Sequence, residues 1–169
     1  MMQLNSLHDL YVDQLRDLYD AEKQIVQALP KMASAASSQK LKEAFEMHLD
    51  QTRNHVRRLD QIFSHLGTSP TGHQCEAMHG LIKEGNEVLQ AGGDATVKDA
   101  ALIAAAQRVE HYEMAGYGTV RTYAKELGYN EAASLLQETL NEEGEADKKL
   151  TSLAEGGFFS SGINKEAKA

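Results

Sequence analysis

The stretch AQRVEHYEMAGYG, residues 106–118, decides how the chain folds and what its interior holds. Read as a helix, it continues a stripe of Ile103, Ala106, Glu110, Glu113, Tyr117, Val120, Ala124 and Leu127 at steps of three and four. Six of those eight suit a buried helix face; the other two are carboxylates, one turn apart, in its middle. A bundle that aims two acids at its own core needs something to compensate them.

Working outward, three further long helical patterns appear. The first covers residues 6–35, with Leu7, Tyr11, Leu15, Leu18, Glu22, Ile25, Leu29 and Met32 on one side. Ser6 followed by Asp9 resembles a capping box, and the periodicity runs through Pro30, which predicts a kink rather than an end. The second follows ASSQ, with Ser37 or Ser38 as N-cap, and ends at Leu66 before Gly67, a C-cap glycine. Its stripe is Leu41, Phe45, His48, Thr52, Val56, Leu59, Phe63 and Leu66. The helix containing the opening stretch begins after GGD, near Thr96, and ends at Gly128. The last starts with Asn130 as its cap and carries Ala132, Leu136, Thr139, Glu143, Ala146, Leu150 and Leu153, with Glu142 at the edge. Gly156 and Gly157 stop it, so a bundle over residues 1–157 and a flexible tail over 158–169 are expected.

The 28 residues from 68 to 95 hold one short helical pattern, EAMHGLIKEGNEVLQ. Antiparallel neighbours need only a few linking residues, so this segment reads as a crossover along the bundle. The fold class is therefore all-α: a four-helix bundle with one long crossover containing a short extra helix. Composition agrees, with 2 prolines, no tryptophan and 6% aromatics. A net charge of −8 argues against nucleic acid as a partner. No run of about 18 apolar residues is present to span a membrane. One cysteine, Cys75, and a start without a basic region and apolar run point to a cytoplasmic protein.

The two hairpins share a register. Glu22 to position 51 is 51 − 22 = 29 residues, and Glu113 to Glu142 is 142 − 113 = 29. Leu59 and Leu150 are related by the same shift of 91 that relates Glu22 to Glu113. Residues equidistant from a turn sit at one height on facing helices, here about 20 Å from it. Glu22, Glu110, Glu113 and Glu142 are thus expected in one layer. Neither Arg108 nor Arg121 shares their stripe, which leaves a divalent cation, or a pair, as the economical partner. Carboxylates with one or two imidazoles suit iron or manganese, and His48 is the nearest nitrogen donor.

His73, Cys75 and His79 form no convincing zinc set with a single cysteine. RNHVRRLD, residues 53–60, reads as a solvated face paired with nearby acids. Tyr117 is the best candidate to hydrogen-bond a ligand carboxylate.

The segments LYDAEKQIVQALPKMA, AFEMHLDQT, DAALIAAAQRVEHYEMAGYGT and LLQETLNEE resemble the YciF-type stress proteins, a rubrerythrin-related branch of the ferritin-like superfamily. The resemblance covers residues 4 to about 155. It implies a ferritin-like bundle, a homodimer, induction under stress, and a rubrerythrin-like dimetal centre, which, if redox-active, would react with peroxide or oxygen. It maps the ligands onto Glu22, Glu110, Glu113 and Glu142. The helix-two position, glutamate in the family's HLEET, is Gln51 in HLDQT here. A neutral amide there weakens the expected centre. His55, four residues on, is a substitute nitrogen donor. The alternative is a metal-free scaffold acting in stress tolerance through dimerisation or partner binding, which Gln51 favours. The chain lacks the four cysteines of a rubredoxin-like module, so any electron donor is external.

Overall fold

A computed structural model describes residues 5–157 and 160–168. Its elements are α1 (Leu7–Ala35), α2 (Gln39–Leu66), α3 (Glu76–Gln90), α4 (Ala95–Glu126), α5 (Asn130–Glu155) and α6 (Ile163–Glu166). Helices α1, α2, α4 and α5 form the bundle. α1 packs on α2 and α4, and α5 packs on the same two. α3 lies in the crossover against α1 and α4.

Sequence punctuation sets most boundaries. Ser6 caps α1 by accepting a hydrogen bond from the Asp9 amide at 3.0 Å. α1 continues through Pro30 to Ala35. Ser38 caps α2, and Gly67 ends it in the left-handed region at φ 64°, with the Thr68 amide bonded to the Phe63 carbonyl. α5 departs from expectation at its start. Asn130 is already its first helical residue, and Tyr129 in the cap position makes no side-chain cap bond. The chain turns one residue earlier because Gly128 takes φ 78° and the Tyr129 amide reaches back to the Ala124 carbonyl.

The C-terminal segment also differs from the loose tail expected over 158–169. Phe158 and Phe159 lie outside the described residues. Beyond them, Ser160–Ser161 pair antiparallel with Gly156–Gly157, and α6 packs on α4 and α5. Ile163, 6% exposed, joins the core beside Leu150 and Ala154. A short apolar anchor inside a polar stretch is enough to dock it.

The core falls into two apolar halves. One holds Ile25, Leu29, Leu41, Phe45, Leu102, Ile103 and Leu150. The other holds Tyr11, Leu15, Leu18, Leu59, Ile62, Val120 and Leu136. Between them every bundle helix contributes buried polar side chains: Glu22, His48, Thr52, His55, Glu110, Glu113, Thr139 and Glu143. α1 and α4 come close just beside this layer. A Cβ on Gly116 would stand 2.7 Å from Leu18, one turn from Glu113 on one helix and from Glu22 on the other.

Two tethers fix the ends. The start of α3 is held by Cys75, whose thiol donates to Asp17 at 3.2 Å and lies 3.1 Å from the Tyr112 hydroxyl. The α1–α2 turn is held by Asp99 of α4, 1% exposed. Its carboxylate accepts from the Ser37 and Ser38 amides at 2.8 and 2.7 Å and from the Ser37 hydroxyl at 2.6 Å. Replacing Asp99 with Ala strands those donors and removes charge-assisted bonds. Asp99→Ala is expected to lower unfolding stability by about 2–3 kcal/mol. Urea unfolding followed by circular dichroism checks this; a change below about 0.5 kcal/mol would remove the tether from the account.

Candidate metal centre

The polar layer is built from four helices. α1 supplies Glu22, α2 supplies His48 and His55 two turns apart, α4 supplies Glu110 and Glu113, and α5 supplies Glu143, all between 0 and 5% exposed. His48 Nε2 lies 3.3 Å from Glu110 Oε1 and 3.7 Å from Glu143 Oε2. His55 Nδ1 lies 3.3 Å from Glu22 Oε1 and 2.9 Å from Glu143 Oε1. Tyr117 donates its hydroxyl hydrogen to Glu22 Oε1.

These donors crowd without satisfying one another. Among the described residues, Glu22 Oε2, Glu110 Oε2, both oxygens of Glu113 and Glu143, His48 Nε2 and His55 Nδ1 have no hydrogen-bond partner. The 2.9 Å approach of His55 to Glu143 lies outside hydrogen-bond alignment. Native interiors leave few such groups, so a cluster of them asks for a ligand. The atoms converge. His48, Glu110, Glu113 and Glu143 each present a ligand atom within 4.8 Å of the others, and Glu22, His55 and Glu143 do the same. Glu143 belongs to both groups. The residues present fit a pair of cations: four carboxylates and two imidazoles, the donor count of bundle-core carboxylate centres.

Protons partly relieve the crowding. Burial, then the neighbouring Glu143, holds the Glu110 carboxyl well above the ordinary range. Burial, then Glu143 and Glu22, does the same for Glu113. Glu143 goes the other way. Burial opposes its charge, but contact with His55 and the charges of His55 and His48 pull its pKa down. Burial also opposes a charged His55, yet the Glu22 charge and contacts with Glu142, Glu143 and Glu22 push it up to about 12. Without a cation these directions favour an imidazolium at His55 and neutral carboxyls at Glu110 and Glu113.

Of the six residues expected from the sequence, Glu22, His48, Glu110 and Glu113 stand together in the layer. Glu142 and Gln51 do not. Glu142, with 28% of its side chain exposed, makes a two-pronged pair with Arg58 at 2.7 and 2.8 Å and accepts from His55 Nε2 at 2.7 Å. Arg58, then His55, holds its carboxyl down at about 2. Gln51 is half-buried, its Oε1 3.4 Å from His48 Nδ1, on the wall of a pocket. The 29-residue spacing placed the height correctly and the rotation one residue off. The inward positions are Thr52 and Glu143, also 143 − 52 = 91 apart. Thr52 donates its hydroxyl to the His48 carbonyl at 2.8 Å and so offers no charge to the layer.

His55 takes the place given to Val56 on the α2 stripe. The alternating three–four step through 41, 45, 48, 52, 55 and 59 points to it directly. RNHVRRLD is thus not wholly a solvated face, since both His55 and Arg58 turn toward the site.

Comparison with known proteins agrees with this architecture. Residues 6–168 match the family described as a domain of unknown function, DUF892. The chain is 49% identical over 154 residues to Protein YciF of Escherichia coli (strain K12), covering 90% of this chain and 93% of that protein. The crystal structure of the E. coli stress protein YciF superposes with a TM-score of 0.89 at 46% identity, covering 98% and 100% of the two chains. YcfI of Rhodopseudomonas palustris gives 0.86 at 45%, covering 90% and 96%. A protein from Xanthomonas campestris gives 0.72 at 21% over 87% and 90%, a likeness of fold. The chain belongs to the DUF892 family and folds as YciF does, in a ferritin-like helical bundle.

Proposed function

We propose that the protein is a stress-response protein that binds two iron or manganese ions in the carboxylate layer. The observation that carries the reading is the convergence of buried, unpartnered oxygen and nitrogen atoms from four helices. His48, Glu110, Glu113 and Glu143 would hold one ion and Glu22, His55 and Glu143 the second, with Glu143 shared. When bound, such a pair would supply two electrons on passing from the divalent to the trivalent state, enough with two protons to take dioxygen to hydrogen peroxide or hydrogen peroxide to two waters.

The protein's own residues do the rest. Tyr117 fixes the rotamer of Glu22 through its hydroxyl and can hold a proton at that oxygen. Arg58 keeps Glu142 ionised at the rim, where it orients His55 from the outer nitrogen. Gln51 lies at the mouth beside His48 and steers the ring without adding charge. Kinship with a protein titled a stress protein supports the reading of action in stress tolerance, and assembly as a homodimer belongs to the same proposal.

One observation favours the second reading, a metal-free scaffold acting through dimerisation or partner binding. His55, favoured in its charged form, and Glu110 and Glu113, favoured as neutral carboxyls, offset part of the layer's charge without a cation.

Metal content and thermal stability separate the two. Anaerobic Fe(II) or Mn(II) at about 100 times its dissociation constant should add about 2.7 kcal/mol per site, or roughly 5–10 °C in melting temperature. Glu113→Gln, nearly isosteric with a protonated carboxyl, should leave the metal-free melting temperature within a few degrees and abolish the gain from the His48 site, the one group of the two that contains it. A wild-type protein that neither retains metal when purified without chelator nor gains stability when it is added would leave the scaffold reading.

The revised rotation has its own test, the metal-to-protein ratio by elemental analysis. Glu143→Gln should lose both ions, because both groups share that side chain. Glu142→Gln should keep them, and Gln51→Glu, at the rim, should change affinity by less than about tenfold. If Glu142→Gln empties the protein while Glu143→Gln does not, the placement of the ligands is overturned.

A further inference from the structure

Cys75 is held more firmly than a helix cap requires. Its thiol, 0% exposed, accepts from the Met78 amide at 3.4 Å. Its own amide donates to Asp20 at 2.7 Å, and its carbonyl accepts from the Gln24 side chain at 3.2 Å. The sulfur is thereby fixed against the hydroxyl edge of Tyr112 on α4, 3.1 Å from the phenol oxygen. Each of the two groups carries one hydrogen, and Asp17 Oδ2 accepts both. The sulfur–oxygen contact therefore has no hydrogen of its own. Either bond to Asp17 would suffice for a tether. The arrangement goes further, pressing two readily oxidised side chains together beside a carboxylate that can take their protons.

The usual oxidation of a cysteine is disfavoured here. The thiolate is the form that attacks peroxide, and burial pushes this thiol up. The sulfur has no exposed surface and no second cysteine to pair with. One-electron oxidation has neither requirement, because an electron can leave an enclosed ring while its proton crosses a hydrogen bond already in place. Tyr112 and Asp17 are half-buried, so that proton has a way on to solvent.

We propose that Cys75 and Tyr112 form an oxidative modification site, at which two one-electron equivalents join the sulfur to a ring carbon beside the phenol oxygen as a thioether. The first equivalent removes an electron from Tyr112 as the phenol proton passes to Asp17. The second removes an electron from Cys75, and the thiol proton leaves by the same carboxylate once it has passed the first to solvent. The two radicals combine into a carbon–sulfur bond, and the hydrogen on that carbon moves to the phenol oxygen. Two electrons and two protons leave in all, the electrons to a radical or another one-electron oxidant. The product replaces a hydrogen-bonded tether with a covalent staple from the start of α3 to α4, closing a loop of 112 − 75 = 37 residues. The coupling needs no ion in the carboxylate layer.

Metal-free protein, reduced and then treated with two equivalents of hexachloroiridate(IV), provides the test. The intact chain should lose the mass of two hydrogens, and dithiothreitol should not restore it. Tryptic peptides 59–83 and 109–121 should be joined, with fragmentation placing the link on Tyr112 rather than Tyr117. The joined form should melt about 5 °C or more above the reduced form. Tyr112→Phe keeps the ring and Cys75→Ser keeps a capping side chain, and neither should give joined peptides. Asp17→Asn should lower the yield by about tenfold or more with the circular dichroism unchanged. Addition of oxygen to Cys75 without joined peptides, a link through Tyr117, a wild-type yield in Asp17→Asn, or a joined form that melts no higher than the reduced one overturns the proposal.

Discussion

The structure depends on how four buried carboxylates are kept from repelling one another. Glu22, Glu110, Glu113 and Glu143 occupy one layer between two apolar half-cores, and apolar packing above and below keeps water from diluting their charge. Burying an ionised carboxylate without a partner costs several kcal/mol. The layer answers with what its own helices carry: His55, favoured in its charged form, Glu110 and Glu113, favoured as neutral carboxyls, and the Tyr117 hydroxyl on Glu22. That answer is incomplete, because six carboxylate oxygens still lack a hydrogen bond.

The rest of the fold can be seen as holding that layer in register. Gly116 admits Leu18 so that α1 and α4 approach one turn away from Glu22 and Glu113. Asp99 ties the α1–α2 turn to the start of α4, fixing α2, and with it both histidines, against α4. The Cys75 tether sets α3 across α1 and α4. Burial, the larger cause, pushes the Cys75 thiol up, which suits a tether better than a nucleophile.

Much of this was legible in the sequence. The α1 and α2 caps are local motifs read over three or four residues, and the crossover announced itself by length. The height of the layer was legible too, since distance from a turn is a count of residues. Rotation about the helix axis was harder. Each residue turns the face by about 100°, and over seven turns a small change in winding moves the inward position by one. Glu142 and Glu143 are adjacent acids, so only the stripe distinguishes them; Glu143 lay on the stripe with Thr139, while the family resemblance pointed to Glu142. Gln51 drew attention as a missing charge, yet the inward neighbour is Thr52. What no local pattern carried was Arg58, whose pairing with Glu142 spans 84 residues, and Ile163, whose docking depends on a surface made by α4 and α5.

The broken two-fold relation between the hairpins makes the two halves of the layer unequal. A shift of 91 residues carries Glu22 onto Glu113 and Thr52 onto Glu143, so one hairpin places a hydroxyl where the other places a carboxylate. Helix α2 makes up the difference with two imidazoles from one face. The group around His48 therefore has three carboxylates and one imidazole, and the group around His55 has two carboxylates and one imidazole. The richer group lines the pocket between α2 and α5 and the cavity between α1, α3 and α4, through His48 and Glu110, while Tyr117 and the Glu142–Arg58 pair stand beside the leaner one. Charge and a way in thus coincide around His48, where a bound cation would be the more strongly neutralised.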